Sequence, residues 1–370
     1  MIIGVLKELK ESEYRVSATP QAVQELVFHG HRVLVEKKAG SGSGFSDEMY
    51  INSGAEIKDS AEEIWNNADI IYKVKEILKE EYKYLREDST VITYIHSNAH
   101  KEQTEALLKS KCISIAYEDI SNDKGEWPLL SPMSELAGKG GFLAALSLSQ
   151  RIKGGSGKLL ANVCGVETPE ITIIGCGNSG LGACEIASAL GNNITMLDID
   201  YESMKNAKQY LPNNVTFLLS NRINLLKCIK KADVVINCIL WPKNRSDHLI
   251  YRKDLKLMKK NAMIIDVACD DNGAIESCKA TTHKKPTYYD EGILHYCVDN
   301  IPSAFAETAS VTLCNVTLPF VMKLADKGVK QALIEDKHLR RGLTTYKGKL
   351  TLKETAEKLG LEYTNAIQIL

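Results

Sequence analysis

What the chain lacks narrows its class before any motif is considered. Its 46 basic and 47 acidic residues nearly cancel. No net field therefore draws it to nucleic acid or to an anionic membrane surface, and a small molecule is the expected partner. The ten cysteines form no Cys-x-x-Cys pair, which removes the simplest zinc and redox motifs. They sit mostly in apolar segments, with Cys112 before Ile113, Cys238 before Ile239 and Cys297 before Val298, and read as buried thiols of a reducing compartment, the cytoplasm. The apolar start Ile2–Leu6 stops at Lys7 and Glu8 with neither a basic leader nor a small-residue cleavage site, unlike a signal peptide. No uninterrupted apolar run reaches transmembrane length, so no membrane association is expected. His96 and His100 stand four apart, a metal-binding spacing on a helix, but no third ligand lies near them and no metal is expected.

What is present describes a two-domain globular chain. Single hydrophobic cores stop growing near about 250–300 residues, and this chain has 370. In the first 120 residues, Ile2–Leu6, Arg32–Val35, Ile70–Lys73, Thr90–Tyr94 and Ile113–Tyr117 read as strands. Between them Gln21–Phe28, Ala61–Asn67 and Glu102–Lys109 have helical spacing, with Pro20 at a helix start. An apolar stretch from Ser134 to Ile152 runs into the connector Lys153–Lys158. A second block follows, with strands at Ile171–Ile174, Ile194–Asp198, Val215–Leu219, Val234–Ile239, Met263–Val267 and Ile293–Val298. Alternation of strand and helix implies parallel α/β sheets. Ala309–Leu324 reads as a long helix, and the tail, helical over Leu352–Leu359, is too short to fold alone and must dock on the first block. The expected architecture is α/β: a doubly wound, Rossmann-type dinucleotide-binding domain of residues 131–306, inserted into a discontinuous Rossmann-like substrate domain of residues 1–130 and 307–370.

The strongest motif is Gly175-Cys176-Gly177-Asn178-Ser179-Gly180, directly after the strand Ile171–Ile174. A helical segment follows to Leu190, then a second strand ending in Asp198, 18 residues beyond Gly180. In that context Gly175, Gly177, Asn178 and Gly180 allow a tight turn and close approach of backbone amides to a pyrophosphate at a helix N-terminus. Asp198 would accept from a ribose 2′-hydroxyl and repel a 2′-phosphate, which favours NAD over NADP. The plain alternative is a glycine-rich turn without a ligand.

Groups beyond strand ends are the catalytic candidates. They are Lys75 in Lys73-Val74-Lys75-Glu76, His96 after Val91–Ile95, Asp270 past Ile264–Val267, and Arg15 in the loop after the first strand. Taken singly, each has a structural alternative: Arg15 and Lys75 as solvated charges, His96 as a satisfied core imidazole, Asp270 as a loop cap.

Several segments resemble alanine dehydrogenases and the related nicotinamide nucleotide transhydrogenase subunit. They are Ile3–Glu8, Glu13–Pro20, Gly42–Asp47, Lys73–Glu76, Tyr94–His96, Pro132–Glu135 with Ala137-Gly138, His295–Val298 and Thr345–Thr351. The resemblance spans essentially the whole chain. It implies that Arg15 and Lys75 hold a substrate carboxylate, that His96 hydrogen-bonds the reacting carbonyl or amine, and that Asp270 is the catalytic carboxylate. It adds Ser134, Ser220 and Asn300 as further cofactor contacts and suggests a homo-hexamer. The implied reaction is reversible NAD-dependent oxidative deamination of a small L-amino acid, foremost L-alanine to pyruvate and ammonia. The chain departs from the family pattern at Lys139-Gly140-Gly141-Phe142, at Ser97-Asn98 and at Ala306-Glu307, where an altered pocket could take another amino acid. Two rivals stay open: a carboxyethyl-ornithine synthase-like enzyme, which would use NADPH and a second amino acid, and a non-catalytic NAD(H)-binding subunit that serves a partner.

Overall fold

The computed structural model describes residues 1–242, 245–269 and 272–370. Within these the chain forms two compact units, Met1–Met133 with Phe305–Leu370, and Ser134–Ala304.

The first unit opens with six strands, β1 (Ile2–Val5), β2 (Arg32–Glu36), β3 (Glu56–Lys58), β4 (Ile70–Tyr72), β5 (Thr90–Thr93) and β6 (Ile113–Ala116). Each neighbouring pair among them is parallel. The central strands β4 and β5 are buried along their whole length and built from β-branched and aromatic residues, as a sheet covered on both faces favours. The helix Pro20–Phe28 starts where the sequence specifies, since Thr19 caps it by accepting from the Ala22 amide and Pro20 fills its first turn. Behind β1 the helix Ala61–Asn67 lies so close that a Cβ on Gly4 would stand 2.4 Å from Ile64 Cγ2. Leu6, Leu34, Trp65, Ile71, Val91 and Leu107 belong to the core on this side.

The second unit holds β7 (Glu170–Ile174), β8 (Asn193–Asp198), β9 (Val215–Leu219), β10 (Val234–Asn237), β11 (Met263–Asp266), β12 (Thr287–Asp290) and β13 (Ile293–Tyr296). Their order in the sheet is β12-β13-β11-β10-β7-β8-β9, with β12 antiparallel at the edge. β7 thus lies between β8 and β10, the point at which a doubly wound sheet reverses direction and leaves a crevice at its carboxyl edge. Glycine makes the packing above β7 possible. A Cβ on Gly180 would fall 1.9 Å from the Gly175 carbonyl oxygen, and one on Gly138 would fall 1.8 Å from that of Ser179. The helices Ser131–Leu148 and Asn178–Ala189 therefore meet through their backbones.

After the second unit the chain returns with β14 (Leu343–Tyr346) and β15 (Lys349–Leu350), which extend the first sheet to the order β15-β14-β6-β5-β4-β1-β2-β3. β14 is antiparallel to β6. The strands β3, β12, β14 and β15 escaped the sequence reading. They are short strands at a sheet edge or, for β14, next to one, and they carry charge or threonine, so no apolar alternation marks them.

The helix Ala306–Lys327 begins and ends a few residues outside the expected span. By length and composition Ile301–Lys327 matches a membrane span, yet half of its apolar window is buried inside the protein. Its apolar residues are interrupted by serine and threonine, so it is not an uninterrupted apolar run. In the first unit those polar residues serve packing. Ser310 Oγ accepts the Val16 amide at 2.9 Å, and Thr317 Oγ1 hydrogen-bonds the Tyr72 hydroxyl.

Candidate active site

In the first unit, Arg15, Lys75 and His96 come together at the carboxyl edge of β4 and β5. Arg15 is only 3% exposed, which sets aside its reading as a solvated charge. Its guanidinium is gripped by Glu13: Nε donates to Oε1 at 2.7 Å and Nη2 to Oε2 at 2.6 Å. Such a fork fixes the plane of the guanidinium as well as its position. Nη1 lies 3.5 Å from Met133 Sδ.

Two lysines follow β4, and their surroundings separate them. Lys73 is fully buried between Glu81 at 2.8 Å and Glu8 at 3.5 Å. Burial works against its charge, but the two carboxylates outweigh it and raise its pKa. Lys73 is a structural ion. Lys75 has one carboxylate beside it, Glu76 at 3.5 Å. Burial lowers its pKa, with Lys10 and Arg15 adding to the effect against Glu76. Glu76 also accepts from Lys10 Nζ at 2.9 Å. Despite its burial, Lys75 and Lys10 draw its pKa down to about 2. The result is a buried cluster rich in positive charge, suited to a carboxylate ligand.

His96 stands three residues past β5 with a left-handed backbone, φ 49°, an uncommon conformation for a residue with a side chain. Its ring stacks on Tyr94 at 6.0 Å, and the Tyr94 hydroxyl donates to the Leu129 carbonyl at 2.9 Å. The side chain is 40% exposed, which rejects the reading of a satisfied core imidazole. Desolvation, then the charge of Lys75, lowers its pKa, so the ring is neutral at neutral pH and able to take a proton. Glu118, half-buried beyond the end of β6, accepts the amides of Ile95 and His96.

Three carboxylates of this site were missed in the sequence. Glu13 and Glu76 adjoin the cations they serve and could have been found by pairing charges along the chain. Glu118 had no such signal. It reaches His96 because parallel β5 and β6 pair Thr93 with Ala116, which brings the residues beyond both strands to one edge.

In the second unit the predicted cofactor residues stand along the carboxyl edge of the sheet. Gly177 caps the helix Asn178–Ala189, and a Cβ on it would meet nothing within 4 Å. The amide-rich helix start thus faces open space, as a phosphate cradle requires. Asn178 is the first helical residue. Gly175 has φ 104°, and Gly180 makes the backbone contact already described. Asp198 ends β8 and holds the glycine loop itself: Oδ2 accepts the Cys176 amide at 2.6 Å and Oδ1 the Asp200 amide at 2.9 Å. The Ser220 amide donates to the Asp198 carbonyl at 2.7 Å, so the two lie side by side. Asn300 is buried past β13, and its carbonyl pairs with His283 Nε2. Ser134 is half-buried at the start of the unit. Asp270 lies outside the described residues. The donor set fits a dinucleotide: backbone amides at an accessible helix start and a carboxylate at the end of the next strand. Two acids unnoticed in the sequence, Asp200 and Glu202, extend that carboxylate end, Asp200 as the cap of the helix Tyr201–Tyr210.

Comparison with known proteins agrees with this geometry. Residues 4–137 match the family model described as alanine dehydrogenase/PNT, N-terminal domain, and residues 142–353 its C-terminal domain. The chain is 41% identical over 367 residues to an alanine dehydrogenase of Methanococcus maripaludis, covering 99% of this chain and 98% of that one. It is 40% identical over 367 residues to that of Bacillus subtilis, covering 99% and 97%. A solved structure of an L-alanine dehydrogenase superposes with a TM-score of 0.93 at 36% identity, covering 97% of this chain and 99% of that one. A transhydrogenase from Sinorhizobium meliloti shares the fold, with a TM-score of 0.81 at 21% identity, covering 96% and 100%. From its first strand to its C-terminal segments, the chain belongs to the alanine dehydrogenase/PNT family.

Proposed function

We propose that this chain is an NAD-dependent L-alanine dehydrogenase, converting L-alanine, water and NAD+ reversibly into pyruvate, ammonium, NADH and a proton. The observation that carries the reading is the cluster of buried Arg15, half-buried Lys75 and the accessible, neutral His96, in a chain 41% and 40% identical to alanine dehydrogenases along nearly its whole length. Arg15, oriented by Glu13, and Lys75 bind the substrate carboxylate. When bound, the nicotinamide ring accepts the α-hydride. The substrate ammonium first gives a proton to solvent, and the lone pair of the neutral amine forms the C=N bond as the hydride leaves, which yields an iminium ion. His96 then takes a proton from the attacking water, and returns one to nitrogen as the C–N bond breaks and ammonia leaves. Asp270 is the catalytic carboxylate, on the strength of the family match.

On the cofactor side, Gly175, Gly177, Asn178 and Gly180 receive the pyrophosphate, Asp198 the ribose hydroxyls, and Ser134, Ser220 and Asn300 complete the contacts. Both Asp198 oxygens already accept one amide, and each keeps a lone pair for a hydroxyl. The acids Asp198, Asp200 and Glu202 lie together in the sequence and repel a 2′-phosphate, which favours NAD and weighs against an NADPH-linked rival. Ten cysteines carried as free thiols support a cytoplasmic setting. Exposed Ile152, Leu159, Val163 and Val166 support self-association into the hexamer expected of the family.

The test is NADH formation by the purified chain with L-alanine, beside the other common amino acids and NADP. Turnover fastest with L-alanine and NAD is expected. No reduction with L-alanine, or a preference for NADP with a second amino acid required, overturns the reading. Light scattering checks the oligomer.

A further inference from the structure

Glu118 is a half-buried carboxylate with no contact that the fold alone demands of a charged group. It lies in the single turn Tyr117–Asp119 after β6, and its side chain is 13% exposed. Both its oxygens accept the Ile95 amide, at 3.1 and 3.3 Å, and Oε1 also accepts the His96 amide. The same Oε1 lies 3.6 Å from His96 Nδ1. One side chain therefore holds the two amides that lead into a left-handed histidine and faces one nitrogen of its ring. A neutral amide or hydroxyl could satisfy the backbone; the ring nitrogen is what a carboxylate adds.

We propose that Glu118 is the positioning residue of His96, holding its backbone in the left-handed conformation and orienting the ring through Nδ1, so that Nε2 is the nitrogen that exchanges protons with the substrate. The proposal rests on the reading of His96 as the proton-transferring group. It adds that an ionised Glu118 is needed for that work. The groups acting on the His96 ring are Lys75, Glu76, His100 and Lys10. Those acting on Glu118 are Asp119, which itself feels Glu354 of the helix Lys353–Leu359. Burial, with Asp119, raises the Glu118 pKa to about 7 against the pull of the amides. His96 is shifted the other way by burial and Lys75. An ionisation near neutrality in the rate profile then belongs to Glu118, with His96 titrating at lower pH.

Glu118→Gln keeps an oxygen for the amides and removes the charge, so it separates orientation from folding. In the full-length protein kcat should fall about 10-fold, the KM for L-alanine should stay within about two-fold, and the inflection near neutral pH should vanish. Glu118→Asp should keep the inflection with partial activity. In uniformly 13C-histidine-labelled protein at pH 8, where Glu118 is ionised, and with the His96 signal assigned by its loss in His96→Gln, the ring shifts should report the tautomer protonated at Nδ1, and Glu118→Gln should lose that preference. That readout needs no turnover. Wild-type kcat and an unchanged inflection in Glu118→Gln, or an unchanged His96 tautomer, overturn the proposal. Active His96→Ala protein would overturn instead the reading on which it rests. Loss of thermal stability in Glu118→Gln with no change in the pH profile or the His96 tautomer would assign the residue a purely structural role and also overturn it.

Discussion

Along the carboxyl edge of the Ser134–Ala304 unit, the groups suited to a dinucleotide are largely main chain: the helix start at Gly177 and the loop that Asp198 ties down. In the other unit the corresponding edge is built from side chains, namely Arg15 in the grip of Glu13, Lys75 between charges, and His96 on Tyr94. The difference matches what each would bind. A pyrophosphate is met by backbone amides that any sequence supplies once glycine opens the way. A small amino acid needs charges of defined sign held at defined places, and these must be buried, paired and shifted in pKa to work.

The comparison breaks most sharply at the side-chain edge. His96→Ala should lower kcat at least about 100-fold while NAD affinity, read by nucleotide fluorescence, stays at the wild-type value. Retained turnover would move the proton transfer elsewhere. Asp270→Asn should behave alike.

At the main-chain edge, two glycines two helical residues apart should fail differently. Gly177→Val projects into open space, so it should leave Tm within a few degrees yet weaken NAD at least about 10-fold. Gly180→Ala forces a Cβ to within 1.9 Å of the Gly175 carbonyl oxygen and should cost about 3 kcal/mol of stability. Equal loss of binding and stability in the two variants would contradict their separate duties.

Smaller effects are expected where charge is only redistributed. Glu13→Gln leaves Arg15 in place but loosens its fork, so the KM for L-alanine should rise about five- to ten-fold with kcat little changed. Asp198→Ala should narrow the preference for NAD over NADP by about 10-fold, and also weaken NAD itself, since the Cys176 amide loses its acceptor. A gap that stays as wide would place discrimination elsewhere.

The smallest effects should appear as opposite pH responses of stability in the two units. The Glu76 pKa is drawn down to about 2 by Lys75 and Lys10. Its contribution is complete above the unfolded carboxyl range and is lost as pH falls toward that value. Asp266, buried at the end of β11 and accepting from Asn237 Nδ2 at 2.8 Å, is raised to about 7 by burial and by the nearby Cys297. Its contribution is complete at acid pH and is lost as pH rises through neutrality. Glu76→Gln should therefore lower Tm most at pH 7 and by clearly less at pH 3, the difference vanishing as pH is taken through about 2. Asp266→Asn should raise Tm by a few degrees at pH 8 and not at pH 5, through removal of about 1–2 kcal/mol of charging cost. An equal change at both pH values in either variant would refute the shift it tests.

Much of the fold followed from the sequence by itself. Apolar runs long enough to fill a strand, such as Ile70–Tyr72 and Ile171–Ile174, name central strands, and Gly175, Gly177 and Gly180 with Asp198 name the nucleotide edge. These signals are local: burial on both faces forces apolar runs, and a tight turn forces glycine. Edge strands such as Glu56–Lys58 carry no such demand and were silent. The sequence also offered Arg15, Lys75, His96 and Asp270 without showing what surrounds them. Only tertiary structure separated Lys73, neutralised between Glu8 and Glu81, from Lys75, left with lowered pKa among other cations. Only the register of β5 on β6 delivered Glu118 to His96 across 22 residues of chain. Charge and proton affinity depend on what lies within a few ångströms in space, and for these residues the neighbours come from distant segments that the sheet brings side by side.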